Sequence, residues 1–195
     1  MKLQIITPFS RTRENIEAIY SSLKSVAAQV ETEWIIVYQY DAGHELMEWH
    51  RENEKQQILK VTMLRGNTAT SYYGHSYRNQ ALHQLRDDRD SWVYFIDDDN
   101  IVHPDFPKLL NALLPDDEVV FFSQVWKNRE MRLEPSHIGV GGVDTAMILA
   151  RSAIMKQYSW NEEEYTADGL IAEKLAANHR CRRIFEPYCF YNYLR

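Results

Sequence analysis

The sequence predicts an α/β domain with a mostly parallel central sheet flanked by helices, and three observations lead there. Segments that read as strand and helix alternate from Leu3 to Ile96, the pattern of a parallel sheet with right-handed crossovers. Trp92-Val93-Tyr94-Phe95-Ile96 is an unbroken apolar run, as expected of a central strand covered on both faces. The run ends abruptly in Asp97-Asp98-Asp99-Asn100, at the kind of strand tip where open α/β sheets receive ligands.

Leu3 to Thr7 reads as the first strand, stopped by Pro8 and followed by the polar loop Ser10-Arg11-Thr12-Arg13. Ile16, Ile19, Tyr20, Leu23, Val26 and Val30 recur at helical spacing, which predicts an amphipathic helix over about 13–29. Trp34 to Tyr40 is a second strand ending at the turn Asp41-Ala42-Gly43, His44 to Lys55 a short helix, and Ile58 to Leu64 a third strand. Gly74 to Arg86 is helical with Ala81, Leu82 and Leu85 inward, and the acidic strand follows. Beyond it, Asp105 to Leu114 is a helix with Pro107 tolerated in its first turn. Glu118–Trp126 and Met131–Glu134 pair as a hairpin around Lys127-Asn128-Arg129, and Pro135 to Gly142 is a glycine-rich loop. Val143–Ala150 is expected to be a strand, Arg151–Gln157 a short helix, and Ala167–Asn178 a helix with Leu170, Ile171 and Leu175 inward. The aromatic-rich tail from Arg182 to Arg195 packs back as strand and loop. The change of pattern near residue 103 divides one domain, 1–195, into lobes 1–103 and 104–195.

A chain of 195 residues can build one full core, and 45% hydrophobic with 12% aromatic content excludes disorder. A net charge of −6 argues against a nucleic-acid partner. Cys181 and Cys189 have no further cysteines with which to form a metal quartet and read as free thiols of a reducing compartment. Met1-Lys2 leads straight into the first strand without a secretory pattern, and no run approaches the ~18 apolar residues of a membrane span. A cytoplasmic location follows, with no integral membrane segment and with peripheral membrane association left open.

Three adjacent carboxylates repel one another, and a divalent cation with oxygen ligands relieves that cost. In a parallel sheet the strand ends Thr7-Pro8, Asp41 and Asp97 to Asp99 share one edge. Arg11, Arg13 and Arg78 stand near these tips and suit a phosphorylated ligand. Neither G-x-G-x-x-G nor a Walker loop is present.

Asp97-Asp98-Asp99-Asn100 after an apolar strand resembles the metal-binding DXD motif of nucleotide-sugar-dependent glycosyltransferases with the glycosyltransferase A fold, and is similar to small family 2 enzymes. Thr7-Pro8-Phe9-Ser10-Arg11, with Glu14-Asn15, resembles that family's opening strand and loop. Gly74-His75-Ser76-Tyr77-Arg78-Asn79-Gln80-Ala81-Leu82 resembles its G-x-x-x-R-N-x-A-L helix. Gly142-Val143-Asp144-Thr145 is similar to its acceptor-side segment, and Thr166-Ala167-Asp168-Gly169-Leu170 to the segment that supplies the catalytic base. The likeness runs over about residues 3–185.

The resemblance implies transfer of a sugar from a UDP- or GDP-sugar to a saccharide or lipid-linked hydroxyl, with inversion. It implies Mn²⁺ or Mg²⁺ on Asp99 with Asp97, ribose contacts from Asp97 or Asp98, and charge compensation from Arg78. Thr7, Pro8, Arg11 and Asp41 complete the donor site, Asp144 contacts the acceptor or donor sugar or else only satisfies its own loop, and Asp168 is the base. Asp168 also suits a helix N-cap. The chain departs from the pattern where Ala42-Gly43 replaces G-S after Asp41. It departs again where Ala167 precedes Asp168, with Glu162, Glu163 and Glu164 upstream as rival bases. It is also short for the fold, which implies that the C-terminal lid or acceptor domain of larger members is missing or minimal. His103 and His137 are plain loop histidines or additional metal ligands, and Trp126 and Trp160 are packing residues or sugar platforms. Two other classes share parts of this pattern: a haloacid dehalogenase-type phosphohydrolase, with Asp97 as nucleophile, and a catalytically inactive sugar-nucleotide-binding module. A nucleotidyltransferase would want a glycine-rich loop near Thr7, and Pro8-Phe9-Ser10 has none.

Overall fold

The computed structural model describes residues 1–67, 74–86, 88 and 90–195. In chain order the elements are β1 (Lys2–Phe9), α1 (Arg13–Ala27), β2 (Glu31–Tyr38), α2 (Gly43–Asn53), β3 (Lys60–Arg65), α3 (His75–Leu82) and β4 (Ser91–Phe95). There follow β5 (Ile101–Val102), α4 (Phe106–Asn111), β6 (Val119–Trp126), β7 (Met131–Leu133), β8 (Ile148–Arg151), α5 (Ser152–Met155), α6 (Ala167–Asn178) and β9 (Cys181–Tyr191). One nine-stranded sheet runs β3-β2-β1-β4-β8-β6-β9-β5, with β7 paired to β6. The β3-β2-β1-β4 half is parallel throughout. Beyond β4 the sheet is mixed: β8 is antiparallel to both β4 and β6, while β9 runs parallel to β6.

Side-chain alternation puts a core on each face of this sheet. Trp34 and Ile36 of β2 and Trp92 and Tyr94 of β4 point to one side, where Ile16, Ile19 and Leu23 of α1, Trp49 of α2 and Phe106 of α4 cover them. Ile35 and Val37 of β2 and Val93 and Phe95 of β4 point to the other, under Tyr77 and Ala81 of α3 and Ile171 and Leu175 of α6. All five residues of β4 are buried, in keeping with its unbroken apolar run.

Several boundaries differ from the sequence reading for identifiable reasons. Pro8 lies inside β1, paired with Val37. The Ile6 carbonyl accepts from Ile96 on the β4 side, so residue 8 would aim its N–H the same way. There β4 has already ended, and the missing donor costs nothing. The helix expected to Arg86 stops at Leu82, and the one expected from Asp105 is the shorter α4. The strand expected from Val143 begins only at Ile148. Asp144 accepts the Ala146 N–H at 3.0 Å and winds Thr145–Met147 into a single 3-10 turn. In α6 the inward face is Ala167, Gly169, Ile171, Ala172 and Leu175, with Leu170 only half-buried. No helix among the described residues is long and apolar enough to cross a membrane.

Candidate active site

From β1 the chain proceeds to β2 and β3, then crosses back to β4 on the other side of β1. The order therefore reverses between β1 and β4, and the tips of these two strands open a crevice. A cleft of about 740 Å³ lies there, walled by the β1 tip from Pro8 to Arg11, Asp97 to Asp99, and the first turn of α3. Its far wall is the start of α6, the end of β7 with the loop that follows it to Asp144, and the tail residues Tyr191, Asn192 and Arg195. Gly74 makes the entry to α3 possible: its φ is +75°, and a Cβ there would stand 2.7 Å from the Pro8 Cβ.

The three aspartates have different surroundings. Asp98 is consumed by the protein: Oδ2 accepts from the Ser10 N–H at 2.7 Å and its hydroxyl at 3.1 Å, and Oδ1 accepts from Arg11 Nε at 2.9 Å. Its own carbonyl accepts from Asn15 Nδ2 at 2.7 Å, which ties the start of α1 to the acidic turn. Asp99 Oδ2 takes two cations, Arg11 Nη2 at 3.0 Å and Arg195 Nε at 2.6 Å, while Oδ1 has no donor among the described residues. Asp97 Oδ1 accepts from Arg78 Nη2, and its Oδ2 likewise has no donor among the described residues. Burial pushes the Asp97 carboxyl up to about 7; Arg78 opposes this, and repulsion from Asp144, Asp168 and Asp99 adds to it.

Arg78 is itself only 2% exposed. Its Nη1 donates to His75 Nδ1 at 3.0 Å, and His75 Nε2 meets the Glu164 carbonyl at 3.2 Å. Those two bonds select the neutral imidazole with its proton on Nε2. Burial, then the Arg78 charge, lowers the His75 pKa to the same effect.

On the far wall Asp144 Oδ2 accepts from Arg132 Nη1 at 3.0 Å, and that guanidinium lies 3.4 Å from the Tyr191 ring centre. Burial and then repulsion from Asp168 raise the Asp144 carboxyl against the pull of Arg132. Asp168 stands in the first turn of α6 and lines the cleft, with Oδ1 accepting the indole N–H of Trp160 at 2.8 Å and Oδ2 without a donor among the described residues. Gly169, next to it, allows α6 to touch the loop, because a Cβ would come within 2.4 Å of the Val140 Cα.

Pro8, Arg11, Arg78, Asp97, Asp98, Asp99, Asp144 and Asp168 thus meet in one cleft. Thr7 is fully buried and accepts the Trp34 indole N–H at 2.8 Å, a core role outside the cleft lining. Asp41 is exposed in a single 3-10 turn after β2, and Gln39 reaches the cleft in its place. Arg13 is tied to Glu17 and Glu52 on the surface. His103 caps the start of α4 through the Asp105 N–H and His137 is exposed; both lie outside this cleft. Of the glutamates upstream of Asp168, Glu164 caps Thr166 and Glu162 accepts from Asn79. Sequence reasoning missed Arg132, Tyr191 and Arg195, whose position depends on the tail crossing the acidic turn: Asn192 N–H donates to Asn100 Oδ1 at 2.8 Å and Leu194 N–H to the Asp99 carbonyl at 3.1 Å.

The chain matches no protein-family model and no curated sequence. Solved structures do match. Staphylococcal TarS 1–349 (S. aureus) superposes at a TM-score of 0.70 with 18% identity, over 97% of this chain and 60% of that one. A mannosyltransferase from Pyrobaculum calidifontis, solved with GDP-Man and Mn²⁺, gives 0.66 with 15% identity, over 95% and 54% of the two chains. The chain has the glycosyltransferase A fold. Glucosyl-3-phosphoglycerate synthase from Mycobacterium tuberculosis, solved with Mn²⁺, UDP and phosphoglyceric acid, gives 0.61 with 14% identity, over 94% of this chain and 68% of that one. The chain thus spans 60% and 54% of the first two of these chains.

The donor set at the cleft fits a divalent ion. No three His, Cys, Asp or Glu side chains form a preformed cage among the described residues. Mg²⁺-type sites, however, need only one or two carboxylates, with substrate phosphates completing the shell. The free oxygens of Asp97 and Asp99 supply those.

Proposed function

We propose that this protein is a metal-dependent glycosyltransferase that moves a sugar from a UDP- or GDP-sugar to a saccharide or lipid-linked hydroxyl, with inversion. The observation that carries the reading is the convergence, in one cleft at the strand-order reversal, of Asp97 and Asp99 with a free oxygen each, buried Arg78, and Asp168 from the opposite wall. Residues 1–103 form the donor half and 104–195 the acceptor half. That two fold neighbours were solved with Mn²⁺ and a GDP or UDP species supports the choice of donor and metal.

Mn²⁺ or Mg²⁺ held by Asp99 and Asp97 would act as a Lewis acid on the departing diphosphate. Arg78 adds a fixed positive charge that needs no reorganisation, because Asp97 and His75 already hold it. Asp98, whose oxygens accept from Ser10 and Arg11, orders the Ser10-Arg11 loop at the donor wall. The acceptor oxygen attacks the anomeric carbon, the C–O bond to the diphosphate breaks with its electron pair leaving on the nucleotide, and the hydroxyl proton passes to Asp168 Oδ2. Attack from the α6 wall on a donor lodged at the β4 wall is what inversion requires. The phosphohydrolase alternative loses its ground with the fold, and the inactive binding module differs from the enzyme only in turnover.

The test is a melting screen with UDP and GDP in Mn²⁺ and in EDTA, followed by hydrolysis of UDP-glucose and GDP-mannose. Stabilisation of about 2.7 kcal/mol at ~100 times Kd is expected only with metal. Slow release of free sugar is expected with no turnover of phosphomonoesters. Equal stabilisation in EDTA would remove the metal from the reading, and binding without any release of sugar would favour the inactive module.

A further inference from the structure

Asn79 follows Arg78 on α3, and its amide clamps one residue of a distant loop. Nδ2 donates to the Trp160 carbonyl at 2.9 Å, and Oδ1 accepts the Trp160 N–H at 2.8 Å. One turn earlier, His75 holds the Glu164 carbonyl. The segment leading into α6 is therefore docked on α3 at both ends. Between them the Trp160 ring is 2% exposed, set edge to face against Phe95 at 4.8 Å, with the Arg78 guanidinium 5.8 Å from its centre. A ring so enclosed cannot stack on a sugar. Its one polar atom needs an acceptor, and that acceptor is Asp168 Oδ1 at 2.8 Å.

We infer that Trp160 is a positioning residue that fixes the carboxylate of Asp168, and that Asn79 fixes Trp160. The inference rests on the proposed role of Asp168 as base. With Oδ1 engaged, the carboxylate plane is set and Oδ2 is the oxygen presented to the acceptor hydroxyl. The adjacent pair Arg78-Asn79 then governs both sides of the reaction: Arg78 holds Asp97 at the donor wall, and Asn79 holds the base at the other. Misplacing a reacting group by about 1 Å costs on the order of a hundredfold, so losing the indole donor should register in turnover rather than in binding.

The experiment compares Trp160→Phe, Asp168→Asn and the double variant, using UDP-glucose and GDP-mannose with Mn²⁺. Trp160→Phe keeps an aromatic ring at the position and deletes the N–H together with the pyrrole half of the indole. Its kcat is expected to fall about 10- to 100-fold, with donor affinity within about twofold of wild type. In the Asp168→Asn background the same substitution should add less than about twofold, because a positioner has nothing left to position. Asn79→Ala, which leaves the indole intact, should reproduce the kcat loss and serves where Trp160→Phe melts too low to assay. Losses that multiply in the double variant, or Trp160→Phe and Asn79→Ala both at full kcat beside an impaired Asp168→Asn, overturn this inference alone. Asp168→Asn at the wild-type rate overturns the base assignment and this inference with it.

Discussion

Three identical side chains in succession, Asp97, Asp98 and Asp99, have three fates, because each meets different partners. Asp98 spends both oxygens on Ser10 and Arg11, whereas Asp97 and Asp99 each retain one. Asp98→Ala is therefore expected to lower stability by about 1–2 kcal/mol, since it removes the acceptor of the Ser10 N–H and hydroxyl and of Arg11 Nε at a carboxylate that is itself buried. Asp99→Ala should cost less than about 1 kcal/mol, because Arg195 is exposed and Arg11 keeps Asp98. It should nonetheless abolish Mn²⁺-dependent stabilisation by UDP or GDP. Urea melts and the thermal screen on both variants check the division of labour, and equal stability losses would refute it. The acidic run and Arg78 were legible because they stand together in the sequence. Their division of labour was not, since Ser10 lies 88 positions from Asp98 and nothing local ties the two.

Among the elements, α6 was readable nearly to the residue, because its apolar spacing and Asp168 near its start are local signals. The short β5, the 3-10 turn at Asp144 and the crossing of the acidic turn by residues 192–195 were not readable. The first and last exist only because a partner from elsewhere receives them, as β9 receives β5, while the turn is a local hydrogen bond from the Ala146 N–H to Asp144 that displaces the start of the expected strand. The contact between α6 and the glycine-rich loop belongs to the same class, and it sets local propensity against tertiary contact at Gly169. Alanine there gains up to about 1 kcal/mol of helix propensity. It also drives a methyl to 2.4 Å from the Val140 Cα and 2.6 Å from the Val140 nitrogen, main-chain atoms that cannot rotate aside. The contact should win, so Gly169→Ala is expected to destabilise by roughly 1–3 kcal/mol. It should also slow sugar-nucleotide hydrolysis, because the neighbouring Asp168 moves with the helix start. A melting temperature at or above wild type would show that the loop yields.

For the whole molecule, the parallel half of the sheet followed from strand–helix alternation, but the mixed half could not. There β8 enters between β4 and β6, a pairing dictated by packing rather than by any pattern within residues 143–151. Across the cleft α3 is bonded to the segment that leads into α6 through Asn79 and His75, and His75 is the titratable part of that joint. Its Nδ1 accepts from Arg78 and its Nε2 donates to the Glu164 carbonyl, an arrangement open only to the neutral ring. Burial and then Arg78 lower its pKa from the ordinary 6.5, while Asp168, the Glu164 carbonyl and Glu162 pull the other way without prevailing. The sign follows from proton binding: below about 6.5 the unfolded chain takes up a proton on this histidine that the folded protein still refuses. The stability His75 contributes is thus complete above that pH and is lost as the pH falls toward its lowered folded value. His75→Gln removes the titration. Between about pH 7.5 and about pH 5.5, unfolding free energies from urea should fall more steeply for wild type than for the variant. The gap between them should narrow as acid is added. Parallel curves would mean that protonated His75 is accommodated, and that the joint between α3 and the approach to α6 does not depend on its neutral form.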